Sequence, residues 1–410
     1  MPASVPTSLT RPTTRGMKRK SEDKPQKESQ VNNLTESSPA KRRKSSSSLS
    51  NEKGKEDTPE PEPEYHQDPD YFFEDGDIIL KTENTVFCVH QRKLAELGGM
   101  FEQMFAMPQP ANAARLMGLP YCDLVGLVSP RDVHILLSYA YDHLTLTKEN
   151  KNGTDVFRSL HWEGATALLS VSHKYNLANL RLLCLEALEL LFPKSADACS
   201  SRPIITGITS KTERALFRRR FPFQAIKLFY ECDVPALLPS AYYHAAQLSI
   251  EDIVNGIPLL DGSKEVVPQN EVVKIMKGRE SLKTARRTIL YRWLSDKVGH
   301  GQGSRGCAKC PRLAIKGADT CYMFLMRMFF DFHRAGFFDS KSNALEVLSD
   351  DAMQSLSDYL CEPCWTNVQL KIKEGLWGVW EQLPLYFGWT GWSEIDIEQK
   401  RIDDGWNDDY

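Results

Sequence analysis

Asp75–Phe105, DGDIILKTENTVFCVHQRKLAELGGMFEQMF, is the stretch on which the fold turns. Asp77-Ile78-Ile79-Leu80 is a short apolar run that closes on polar residues, Lys81 to Thr85. A second run comes next at Val86-Phe87-Cys88-Val89. Two such runs around a polar turn predict a β-hairpin. The period then changes. Leu94, Leu97, Phe101, Met104 and Phe105 recur every three or four residues, the mark of one helical face. Gly98-Gly99 interrupts it, and each glycine weakens a helix by about 1 kcal/mol relative to alanine. Two short helices with a break at the glycines are expected.

Outward from this stretch, 410 residues with 41% hydrophobic and 10% aromatic content describe a globular chain of two or three domains. The formal net charge is only −3, so nucleic acid is not indicated as a partner of the whole chain. Cysteines such as Cys88, Cys184 and Cys232 sit in apolar stretches, which suggests reduced, buried thiols rather than a disulfide framework. The N-terminal stretch has no apolar run of the secretory kind, and almost no apolar face for a mitochondrial presequence. The most apolar segment, Cys321 to Phe332, carries Arg327 and Asp331 and falls well short of the roughly 20 residues that cross a bilayer. No membrane partner is expected.

Residues 1 to about 64 are rich in Ser, Pro, Lys and Glu and cannot offset their ordering entropy by burial, so disorder is expected there. Lys41-Arg42-Arg43-Lys44 is a basic cluster suited to the acidic and aromatic pockets of an importin-type carrier, which points to the nucleus; a plain solvated tail would leave the chain in the cytoplasm. Ser38 and Thr58 each precede a proline as candidate phosphorylation sites. A third strand is expected within Leu119–Val128. Ser129-Pro130-Arg131-Asp132 then opens a helix, with Ser as cap and Pro at the first helical position. Val133, Leu136, Leu137, Ala140 and Tyr141 are its expected inward face. Further helices are expected over Trp162–Tyr175 and over the Leu180–Leu191 periodicity that Pro193 ends, with Leu183 inward. Residues 194–212 read as a linker, and Arg218-Arg219-Arg220 as a solvated helix start between the aromatic anchors Phe217 and Phe221.

In the C-terminal part, Cys307-Ala308-Lys309-Cys310 and Cys361-Glu362-Pro363-Cys364 are two Cys-x-x-Cys pairs. Four thiolates at such spacing can close a tetrahedral zinc site. These pairs stand about fifty residues apart, against a usual 15 to 20, so two separate sets of buried thiols remain the other reading. No phosphate-binding glycine loop, His-Glu-x-x-His or Gly-x-Ser-x-Gly is present, and nothing points to an enzyme.

A hairpin feeding a broken helix pair, with Asp77 opening the first strand, His90 ending the second and Leu94 four residues on, resembles the BTB/POZ domain. The family's Ser-x-x-Phe helix junction appears as Gly98-Gly99-Met100-Phe101, so its Ser is missing. The later helix pair, with Leu169, Ser172 and Tyr175 and then Leu180 and Cys184, continues the likeness over residues 70–193. ECDVPALLPSAYYHAA at 231–246, IMKGRESL at 275–282 and the Trp-x-x-Leu-Pro-x-x-Phe pattern in WGVWEQLPLYFGWTGW at 377–392 resemble the region C-terminal to the BTB domain in fungal proteins of this type. His90 is expected to pack and cap rather than to ligate or act as a base.

The resemblance implies an α+β fold: a disordered tail at 1–69, a BTB/POZ-like domain at 70–193 with a small sheet flanked by helices, and a helical domain at 194–298. A helical region with the Cys pairs at 299–400 and an acidic solvated tail at 401–410 complete it. It implies a non-enzymatic interaction protein that forms homodimers through Phe101, Met104, Phe105 and Met107, with Met100 and Leu97 as core candidates, and an adaptor role toward a cullin-type ubiquitin ligase. The alternative is a nuclear transcription or chromatin regulator. No cofactor is expected, unless the Cys pairs take zinc.

Overall fold

The hairpin forms. In a computed structural model, which describes residues 65–108, 114–152, 155–196, 203–206, 208, 210–294, 321–338 and 342–408, β1 (His66–Phe72) is followed by β2 (Ile78–Lys81) and β3 (Thr85–Val89). The expected disorder at 1–64 and the basic cluster Lys41–Lys44 lie outside the described residues. β2 and β3 pair antiparallel, Ile78 against Val89 and Lys81 against Val86. Ile78, Ile79, Leu80, Val86, Phe87, Cys88 and Val89 are all buried, because both faces of this hairpin are covered. That is why the sequence shows unbroken apolar runs instead of alternation. β4 (Arg115–Leu116) and β5 (Leu119–Asp123) complete a five-stranded sheet in the order β1-β3-β2-β5-β4, with β5 parallel to β2.

Two short helices come next, α1 (Gln91–Ala95) and α2 (Gly99–Ala106). Asp77 fastens α1 to the sheet: its carboxylate accepts the Gln91 N–H at 2.7 Å and its carbonyl accepts the Gln91 side-chain amide at 3.2 Å. His90 is held in the same joint. Its backbone N–H donates to the Tyr141 hydroxyl at 3.1 Å, its Nδ1 lies 2.8 Å from the same oxygen, and its Nε2 lies 3.4 Å from Asp75. Leu94 is fully buried. Asp77, His90 and Leu94 therefore act on the fold, as caps and packing.

The break at the glycines has a backbone cause. Gly98 and Gly99 both adopt positive φ, 79° and 59°, where an L side chain is strained. Gly99 also abuts the carbonyls of Tyr175 and Asn176 at the end of a later helix. The resembled family's Ser at position 98 would be poor in this conformation.

Three helices follow, α3 (Pro130–Ala140), α4 (Trp162–Tyr175) and α5 (Ala178–Glu189); α3 lies against β1 and α4 packs on α3 and α5. Ser129 caps α3, its hydroxyl accepting the Asp132 N–H at 3.1 Å. Ala165, Leu168, Leu169 and Ser172 are buried as expected, whereas Leu183 points outward and is exposed. A second sheet, β6 (Thr147–Asn152), β7 (Asp155–His161) and β8 (Ile204–Thr206) in that order, was not expected. β6 reads TKENKN, which carries no strand signal, and β8 lies inside the expected linker.

The remainder is mostly helical. α6 (Lys211–Glu231) leads through a 3-10 turn at Pro235–Leu237 to α7 (Leu238–Ala245) and α8 (Ile250–Asn255). A small hairpin, β9 (Ile257–Pro258) with β10 (Lys264–Glu265), precedes α9 (Gln269–Ala285) and its π-helical turn Arg286–Leu290. Then come α10 (Cys321–Arg334), α11 (Asp350–Tyr359), α12 (Glu362–Glu381), α13 (Leu383–Tyr386) and α14 (Trp392–Asp408). The chain is thus mixed α and β, with more helix than sheet.

Described residues pack directly across the expected domain boundary near 193. Trp162 meets Phe217 at 5.5 Å, and Phe192 meets Phe229 at 5.1 Å. Buried Arg181 donates across the boundary to the carbonyls of Cys232 at 2.7 Å and Asp233 at 2.9 Å. The expected acidic tail is also corrected. Helix α14 runs to Asp408, and Trp406 lies over the Arg181 guanidinium at 4.5 Å and beside His173 at 5.6 Å. An aromatic ring that can cover a buried cation outweighs the pull of the neighbouring acids toward water.

Candidate interaction face and thiol cluster

Helix α2 carries the residues expected to meet a partner, and it divides them. Phe101 is only 1% exposed, and its ring stacks on Tyr175 at 5.1 Å and Phe105 at 6.4 Å. It belongs to the chain's own core, which corrects its placement at an interface. Met104 and Phe105 are half-buried, and Met107 is 62% exposed. Met100, expected in the core, is 48% exposed. Met100 and Met104 fall at i and i+4 and form a short stripe of flexible, polarizable side chains along the helix, and exposed Met107 follows as its extended C-cap. The sequence periodicity alone could not choose between this stripe and the Phe101 stripe beside it.

The basic-aromatic cluster is spent within the fold. Arg219 Nε donates to Asp252 at 3.1 Å, and this pairing holds the Asp252 carboxyl below the usual carboxylate range. Arg220 pairs with Glu265 at 3.2 Å, while Phe217 and Phe221 pack on Trp162. Arg218 is exposed.

Titratable side chains converge at one partly buried network. Tyr242 donates to Glu271, Tyr230 lies 3.0 Å from Tyr242, and Lys274 donates to Glu271 at 3.2 Å and to Tyr230 at 3.3 Å. Burial raises the Tyr230 phenol against the opposing pull of Lys274. A phenol moved away from neutral pH, with each neighbour already bonded, suits cohesion better than proton transfer. A broad open groove of about 950 Å³ runs between α4 and α6, but it is lined by other residues. Its charges pair with each other, Arg131 with Glu163 at 2.6 Å and Arg220 with Glu265. No helix among the described residues is long and apolar enough to cross a membrane.

No family model, curated protein or solved structure matches the chain.

Of the four expected metal ligands, Cys307 and Cys310 lie outside the described residues. Cys361 and Cys364 come together, and a third thiol that the spacing did not indicate joins them. The sulfurs of Cys321, Cys361 and Cys364 all lie within 4.8 Å of one another. Cys321 is the first described residue of α10; Cys361 caps α12 and Cys364 is in its first turn. Asp68, Asp70 and His134 form another close group, but the fold uses it. Asp68 accepts the Tyr71 N–H at 2.9 Å, the Asp70 N–H at 3.0 Å and faces His134 Nδ1 at 3.1 Å.

Proposed function

We propose that the chain is a protein-binding module of BTB/POZ type, which pairs with a second copy of itself through the α2 face and serves as an adaptor toward a cullin-type ubiquitin ligase. The observation that carries this reading is the stripe of Met100 and Met104, continued by exposed Met107 just past the helix end, on a helix whose other side, at Phe101, is anchored in the core. The BTB-like order of hairpin, broken helix pair, third strand and later helices supports it, and so does the role of Asp77, His90 and Leu94 in seating α1. Met100 and Met107 are 48% and 62% exposed and Met104 is already half-buried, so burying them from both copies, at roughly 1.5–3 kcal/mol per fully exposed side chain, returns about 4–8 kcal/mol. Association costs about 4–15 kcal/mol. The methionines therefore anchor a dimer whose remaining energy comes from the surface around them. On this reading the cluster Lys41–Lys44 takes the chain to the nucleus on an importin-type carrier.

Co-purification tests the adaptor role. Full-length chain and a Met100→Glu/Met107→Glu variant, both tagged, are captured from cells and probed for a cullin. The proposal expects a cullin with the native chain and its loss from the variant. Absence of a cullin from both captures removes the adaptor role, and equal recovery from both removes α2 as its basis.

A further inference from the structure

We propose that Cys321, Cys361 and Cys364 bind a zinc ion that clamps α10 to the start of α12. Three sulfurs within 4.8 Å of one another match the chemistry of a thiolate metal site, where Zn–S distances of about 2.3 Å in a tetrahedron put sulfurs roughly 3.8 Å apart. Two of the three come from a Cys-x-x-Cys pair that opens a helix, and the third comes from another helix, at its first described residue.

A backbone donor and a helix N-terminus face the cluster. The Cys361 N–H donates to Cys321 Sγ at 3.3 Å. Donors aimed at a ligating sulfur orient it and spread its charge. Cys361 and Cys364 also sit at the N-terminus of the 20-residue α12, where the helix field favours negative charge. Cys321 is 1% exposed and Cys364 4% exposed, and the stacked pair Phe324–Tyr359, at 5.0 Å, stands in the helices that flank the site. On loading, the incoming Zn²⁺ takes three thiolates and three protons leave to solvent. A disulfide would join two of these sulfurs and leave the third as a thiol, whereas a divalent ion uses all three.

The local core shows what the ion is for. Helix α10 buries only Cys321 and Leu325, and α11 buries only Leu356. Met323 and Phe330 of α10 are exposed. Phe324, Met328, Phe329 and Phe332 of α10 are half-buried against the core, and the ion would add to this packing by tying α10 to α12. This inference is independent of self-association through α2.

The test uses the full chain, purified under a non-chelating reductant and reconstituted with zinc. Metal analysis is expected to find about one zinc per chain, and Cys321→Ser, Cys361→Ser and Cys364→Ser are each expected to fall at least about tenfold in affinity. Cys184→Ser, at a thiol buried elsewhere, should keep its zinc. Because a substituted chain can fail to fold, the native chain is also alkylated with and without a chelator. Cys321, Cys361 and Cys364 should label at least about tenfold faster once zinc is withdrawn, while Cys184 does not change. X-ray absorption on the zinc-loaded chain should count three or more sulfurs. Absence of stoichiometric zinc, zinc retained in full by Cys321→Ser, a native disulfide between any two of the three, or labelling that ignores the chelator would each overturn the proposal.

Discussion

Replacing Gly99 with alanine should be more damaging than the same change one residue earlier. Gly98, at φ 79° and ψ −159°, is in a region that essentially only glycine adopts, where alanine costs roughly 1–3 kcal/mol, and alanine at Gly99 bears a left-handed strain of roughly 1–2 kcal/mol. Around Gly98 a new Cβ meets nothing within 4 Å. At Gly99 it would lie 2.9 Å from the Tyr175 carbonyl oxygen and the Asn176 carbonyl carbon, and closer still to the Asn176 carbonyl oxygen. Those atoms are backbone at the end of α4 and cannot rotate aside. Forced overpacking of this kind costs about 1–3 kcal/mol more. Gly98→Ala is therefore predicted to lose about 1–3 kcal/mol and Gly99→Ala about 2–5 kcal/mol, out of a total of about 5–15 kcal/mol for a folded protein. Urea unfolding followed by tryptophan fluorescence compares the two midpoints at a common slope. Equal losses in the two variants would refute the claim that α2 is seated directly on the α4 terminus. That seat also fixes which way the methionine stripe faces, so Gly99→Ala should disturb self-association as well.

The C-terminal helix and the histidine beneath it give two further tests. Trp406→Ala removes a ring stacked over buried Arg181, an interaction worth about 0.5–2 kcal/mol, and should speed amide exchange across α14; unchanged exchange there would show that the ring does not hold the helix. Burial, and then the Arg181 charge, lower the His173 pKa against the pull of Asp233, so the unfolded chain binds a proton that the folded chain resists. Stability from this group is present above about pH 6.5 and is lost as pH falls through the window below it; His173→Asn should flatten that slope, and identical slopes would contradict the assignment.

Legibility in the sequence tracks burial. The β2–β3 hairpin was legible because both faces are covered, which leaves unbroken apolar runs. Helix α3 was legible because Ser129, Pro130 and Asp132 spell out its cap. Strand β6 was not, since TKENKN gains its pairing from β7 and not from its own side chains. The inward placement of Phe101 and the outward placement of Met100 depend on how α2 is rotated, and the two positive-φ glycines set that rotation. Cys321 escaped notice because a single thiol gives no spacing signal, and its neighbours arrive 40 residues later along the chain. Trp406 looked solvated for a similar reason: the cation it covers is contributed by α5.

Molecular mass in solution probes the central claim most directly. Size exclusion with light scattering, on the full chain at tens of micromolar and on Met100→Glu/Met107→Glu, reads self-association without reference to any partner. The account predicts twice the 46.6 kDa chain mass for the native protein and a single chain for the variant, with the same helix content in both. A native chain that stays monomeric, or a variant that still pairs, would contradict it.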